Sequence, residues 1–144
     1  MSSITTHMTG DHRHCDALFS DTESAVSQNN WQKAVSHWAL FHNSIEQHFT
    51  IEEEILFPAF EQATGSSGGP TSVMRIEHVQ MRQLFGQIAA AMEAKDSEET
   101  LGLTETLMIL MQQHNMKEEQ ILYPMTDQVL PDATTILQQM EQSR

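Results

Sequence analysis

Apolar side chains recur along this chain at alternating intervals of three and four, never with the period of two that a half-buried strand needs. One stripe runs through Met8, His12, Cys15, Phe19, Thr22 and Val26, and a second through Trp38, Phe41, Ile45, His48, Glu52 and Ile55. A third runs through Met74, His78, Met81, Phe85, Ile88 and Met92, and a fourth through Leu107, Met111, His114, Glu118, Ile121 and Met125. Such spacing keeps every member on one helical face. Breakers separate the stripes: Gln28-Asn29-Asn30, the Gly- and Ser-rich run 65–70, the acidic helix start Asp96-Ser97-Glu98-Glu99, and Pro131-Asp132. The predicted helices span roughly 10–28, 31–63, 71–95 and 97–124, with a short fifth from about 132. Short connections make neighbours antiparallel, so the expected fold is all-α, an up-down-up-down four-helix bundle forming one domain over 1–144. Pro58 and Pro124 are expected to kink or end their helices.

Every stripe contains a histidine, and two also contain a glutamate. A neutral imidazole in a bundle core needs partners for both ring nitrogens, and a buried carboxylate needs a compensating cation. No Lys or Arg lies on the stripes, so Glu52 and Glu118 leave two negative charges uncompensated among four imidazoles. Something positive is expected to sit between them.

The chain also repeats itself. An offset of 66 residues carries His12 onto His78, His48 onto His114, Glu52 onto Glu118, Met8 onto Met74 and Pro58 onto Pro124. The same offset pairs Asp11 with Glu77, Glu53 with Glu119 and Phe57 with Tyr123. Locally the pattern is H-x-x-x-E-E-x-x-L-[FY]-P at 48–58 and again at 114–124. Two helical hairpins, about 8–64 and 74–130, are therefore expected to meet across a pseudo-twofold axis. On a helix, His at i and Glu at i+4 lie on one face, roughly 5–6 Å apart at Cβ, and can reach one centre. Two such pairs and two further imidazoles supply two metals, each with two nitrogens and a share of two bridging carboxylates. That leaves room for an oxo or hydroxo bridge and an exogenous ligand. Imidazole and carboxylate with open positions suit iron, and less exclusively manganese or zinc. The candidate ligands are His12, His48, Glu52, His78, His114 and Glu118.

Composition narrows the setting. Seven Lys and Arg against 20 Asp and Glu give a formal charge of −13, which repels nucleic-acid backbones and anionic lipid. A single Cys excludes a disulfide framework. There is no basic-then-apolar leader and no apolar run of about 18 residues, so a cytoplasmic protein is expected. His7, His14, His37 and His42 lie off the stripes and read as surface or flanking groups, with His42 the one most apt to matter. Glu53, Glu119, Asp11 and Glu77 lie one residue off the stripe, as acids orienting a histidine N–H or as extra ligands. Cys15 reads as a small buried hydrophobe, and the ten Met as packing. Tyr123 stands where the first repeat has Phe57, with a hydrogen bond near the cluster as the minority reading. Ile136, Leu137 and Met140 of the tail are read as docking on the bundle or as a homodimer contact.

At D-H-R-H-C-D (11–16), H-F-T-I-E-E-E-I-L-F-P (48–58), E-H (77–78) and H-N-M-K-E-E-Q-I-L-Y-P (114–124), the chain resembles the hemerythrin-like HHE cation-binding proteins over roughly 10–130. The resemblance implies a four-helix bundle with a non-haem diiron centre held by the six residues above, binding O₂, NO or related small oxidants. Oxygen-carrying members have a further His one turn before the third-helix ligand, where this chain has Met74. They also have an Asp five residues after its His, where this chain has Glu118 at four. The symmetric four-His, two-Glu set is closer to diiron proteins tied to iron–sulfur repair and nitrosative stress. Three readings follow: a binder or sensor of O₂ or NO, an enzyme acting on peroxide or NO, and an iron donor or store for cluster repair. The imidazole-rich set favours the first, since carboxylate-rich sites better stabilise high-valent iron. The donor reading lacks an appended Cys-paired domain.

Overall fold

The first helix, α1 (Ile4–Ser27), begins six residues before the expected start. Gly10 costs a helix interior roughly 1 kcal/mol relative to Ala, but the turn ahead of it is well held. Ser3 accepts from the Thr6 N–H, Ile4 and Met8 are fully buried, and Asp127 accepts from the Ile4 and Thr5 amides at 2.9 and 3.1 Å. Asp127 thus caps a helix from 122 residues away. Asp127→Ala should cost about 1–2 kcal/mol and strip hydrogen-exchange protection from the first turn of α1 while leaving the helix centre protected.

The computed structural model describes residues 3–130 and 133–143; the Pro131-Asp132 break lies outside them. After α1 come α2 (Trp31–Ile51), a π-helical turn π1 (Glu52–Leu56) and α3 (Phe57–Thr64), which follow one another without a break. Then come α4 (Pro70–Glu93), α5 (Ser97–Lys117), a second π-turn π2 (Glu118–Leu122), α6 (Tyr123–Val129) and α7 (Ala133–Gln142). There is no strand among the described residues, and the fold is an all-α bundle. No helix among them is long and apolar enough to cross a membrane.

Two hairpins make up the bundle, α1 with α2 and α4 with α5, and their turns obey the 66-residue offset. Asn29 and Lys95 both take positive φ (56° and 54°), and the following residues, Asn30 and Asp96, both cap the next helix through their side chains. The seam between the hairpins closes through Gly65, the left-handed cap of α3, and through Glu61, which accepts from Thr71 Oγ1 at 2.7 Å.

Neither proline ends its helix. Pro58 and Pro124 each occupy the second residue of an α-helix that resumes after a π-turn. A proline removes its own N–H and clashes with the carbonyl four residues back. The wider turn accommodates this by pairing Phe57 N–H with Glu52 O and Tyr123 N–H with Glu118 O, five residues apart. The extra residue in each turn shifts the core face by one. Ile55 is only half-buried, Ile121 is exposed and Met125 half-buried, whereas Leu56, Phe57, Leu122, Tyr123 and Thr126 are buried. The second and fourth stripes therefore hold as far as Glu52 and Glu118 and are displaced beyond them.

The apolar interior falls into two clusters. One, around Phe19, Phe41, Phe85 and Ile88, fills the end of the bundle bearing the hairpin turns. The other joins Ile4, Met8, Leu56, Phe57, Leu122 and Tyr123 with Met140 of α7, and Ile136 and Leu137 pack against it. The tail docks on its own bundle, tied further by His7 to Glu141 at 3.2 Å.

Candidate metal centre

His12 on α1, His48 on α2, His78 on α4 and His114 on α5 meet Glu52 and Glu118, the opening residues of the two π-turns, and all six are at most 2% exposed. Glu52 Oε1 faces His48 Nε2 at 3.4 Å and His78 Nε2 at 3.2 Å. Glu118 Oε1 faces His12 Nε2 at 3.1 Å and His114 Nε2 at 3.2 Å. Each carboxylate therefore spans one imidazole from each hairpin.

The outer nitrogens are equally ordered. His12 Nδ1 bonds Glu119 (2.7 Å), His48 Nδ1 bonds Asp11 (3.2 Å), His78 Nδ1 bonds Glu53 (2.6 Å) and His114 Nδ1 bonds Glu77 (2.8 Å). With Nδ1–H donated outward, each Nε2 faces the cluster and, once deprotonated, would present its lone pair there. The four flanking acids obey the same offset as the histidines, and all four orient a ring.

Tyr123, the counterpart of Phe57, stands inside the site. In an uninterrupted α-helix a residue five after Glu118 would sit about 140° around the axis; π2 swings it inward. The phenol O–H donates to Glu52 Oε2 (2.7 Å) or Glu118 Oε1 (3.0 Å), and its oxygen lies 3.2 Å from His12 Nε2 and 3.4 Å from His48 Nε2. The remaining histidines stay outside: His42 stacks on Trp38 and pairs with Glu46, and His37 bonds Lys33 O. Cys15 is buried in the turn-end apolar cluster.

The electrostatics follow from burial without a fixed cation. Burial would lower His114, but the Glu118 charge 3.2 Å away outweighs it and raises it to about 9. His12 and His78 are also raised, their carboxylate partners overcoming burial. Burial and the neighbouring Glu118 charge push the Glu52 carboxyl up. Burial pushes Glu118 up too, but the His114 charge and hydrogen bonds hold it well below the usual range. At the periphery, hydrogen bonds from His78 and Arg82 overcome burial and hold Glu53 at about 2.

Among the described residues, the buried side-chain atoms left without a hydrogen bond are Glu52 Oε1, His78 Nε2, His114 Nε2 and Glu118 Oε2. Some face one another at ion-pair distance, but none is aligned to donate or accept. Such atoms cost about 1–3 kcal/mol each unless something else engages them. Donor atoms of Glu52, His78, His114 and Glu118 lie within 4.8 Å of one another, as do those of His12, His48 and Glu118. Two adjoining groups of inward-facing nitrogen and carboxylate donors suit divalent or trivalent iron, manganese or zinc.

A helical bundle whose core converges four imidazoles and two carboxylates defines a metal-binding protein. Residues 3–126 match the family described as Hemerythrin HHE cation binding domain, and the chain belongs to that family. No curated protein and no solved structure matched the chain.

Proposed function

We propose that this chain is a non-haem diiron protein that binds or senses O₂, NO or a related small oxidant. His12, His48, Glu52, His78, His114 and Glu118 would be its metal ligands. The observation that carries this reading is the set of four buried, inward-facing donor atoms without hydrogen bonds. Bound iron would supply open coordination positions and a reversible change of oxidation state. The chain's own residues do the rest. Glu52 and Glu118 each reach imidazoles of both hairpins, so they are placed to bridge. The four outer acids fix ring orientation and tautomer, and the fully buried setting excludes bulk water. Four neutral imidazoles against two carboxylates make a less anionic donor set than carboxylate-rich bundles carry, which favours binding over oxidative attack on a substrate.

Peroxide or NO turnover is the second reading, favoured by one observation: the Tyr123 hydroxyl is a proton donor inside the site. The test is metal content and the optical spectrum of aerobically purified protein, followed by O₂ and NO titration and a peroxide-consumption assay. About two irons per chain and a ligand-dependent spectrum without turnover support the binder, whereas sustained peroxide loss selects the enzyme. A chain with His48 and His114 both changed to Ala that keeps its iron would overturn the ligand set.

The outer acids give a graded prediction. Glu53→Gln keeps the shape but weakens the hold on His78, and should lower metal affinity by about 10–100-fold in chelator competition, with helicity unchanged.

A further inference from the structure

The 66-residue repeat makes the two halves of the centre comparable atom by atom, and they differ. The two imidazole nitrogens without a hydrogen bond, His78 Nε2 and His114 Nε2, both lie on one half; the other two such atoms belong to Glu52 and Glu118, whose carboxylates reach both halves. In the other half the Tyr123 hydroxyl lies within hydrogen-bonding distance of His12 Nε2 and His48 Nε2, and its proton goes to Glu52 Oε2 or Glu118 Oε1. The residue equivalent to Tyr123 is Phe57, which has no hydroxyl and instead stacks on His78 with ring centroids 5.8 Å apart.

The supports differ in the same direction. His78 also stacks on Phe49, centroids 3.9 Å apart, where the other hairpin has Asn115. Glu53, which holds His78, is locked by Arg82 at 2.8 and 3.2 Å; the position equivalent to Arg82 is Asp16. Glu77, which holds His114, is paired with Lys117; the position equivalent to Lys117 is Ile51. Both cations are partly solvent-exposed, so their charge is screened and their main effect is to fix the carboxylates. Beside the two hairpins run equivalent clefts, about 100 Å³ on the Asp11 side and about 20 Å³ on the Glu77 side. Cys15 and Ser44 line the larger cleft where Met81 and Leu110 narrow the smaller.

We propose that the two metal positions are unequal. The position formed by His78, His114, Glu52 and Glu118 fills first and retains its ion, and the His12/His48 position, held by the Tyr123 hydroxyl and flanked by the wider cleft, fills second and exchanges. This rests on the metal-binding reading above. An ion at the first position engages two imidazole nitrogens, His78 Nε2 and His114 Nε2, that make no hydrogen bond and only face carboxylates at 3.2 Å. An ion at the second must displace hydrogen bonds to ionised or strongly polar groups, each a cost large enough to change affinity by about 10-fold.

The test is Zn(II) titration of the full-length, chelator-stripped chain with ¹⁵N-labelled histidine, read as ring-nitrogen shifts by NMR. At one equivalent the Nε2 signals of His78 and His114 should move with at least about 10-fold preference over those of His12 and His48, which follow at the second equivalent. Tyr123→Phe should reduce that preference by about 10-fold. EDTA added to the two-zinc protein should reverse the His12 and His48 shifts first. Four signals moving together in the wild-type chain, or His12 and His48 leading, would overturn the inequality. Zinc failing to bind at all would instead defeat the metal-binding reading itself. If Tyr123→Phe does not fold, the wild-type filling order decides alone.

Discussion

A Glu118→Ala chain should retain almost no metal. Glu118 belongs to both donor groups, contacting His12 and His114 at 3.1 and 3.2 Å. Its loss therefore weakens both positions, where removal of a single imidazole weakens one. The expected result is a drop from about two ions per chain to well below one in elemental analysis after desalting. The same change should destabilise the metal-free chain by about 3–5 kcal/mol in urea unfolding, since it leaves raised-pKa imidazoles buried without their counter-charge. A variant that kept both ions would mean that Glu118 is not a shared ligand.

With chelator present, stability should fall as the pH rises from about 6.5 towards 9. The cause is linkage. Unfolded histidines release their protons near 6.5, whereas His114 holds its proton to about 9 against the cost of burial, because of the Glu118 charge beside it. His12 and His78 are shifted the same way. Folded-state pKa values above the unfolded ones give stabilisation that is complete below about 6.5 and lost on the way to 9, of order 3 kcal/mol for His114 alone. Metal loading should show the opposite slope, because ions compete with those protons and bind more tightly as the pH rises. Urea midpoints at pH 6, 7.5 and 9, with chelator and with metal, check both signs. A flat profile in chelator would mean that the imidazoles are neutral in the metal-free core.

Much of this was legible in the chain because a helix writes its buried face at fixed intervals. Polar residues in that register are conspicuous: His12, His48, His78 and His114 stand out by position, and the offset pairs them. The flanking acids are legible as a pattern, although which acid holds which ring depends on how α1 meets α2 and α4 meets α5 within the hairpins, and on how α1 meets π2 and α4 meets π1 between them. The π-turns were not legible. One residue added to a turn changes no composition and leaves intervals of three and four looking intact, so the spacing alone puts Ile121 and Met125 on the core face. The signal was a proline six residues after each glutamate, which is compatible with a kink, an end or a wider turn. Tyr123 came into the site only through that wider turn. The early start of α1 was hidden because its cap, Asp127, comes from the far end of the chain.

The polar layer also divides the interior. The apolar cluster at the turn end and the one at the α7 end are separate, with the His and Glu side chains as a seam between them. Each of α1, α2, α4 and α5 crosses that seam through a histidine. Bound ions would therefore act as rivets between two mechanical blocks. Metal loading should make hydrogen-exchange protection rise together at both ends, since ions held by all four helices would join the two blocks.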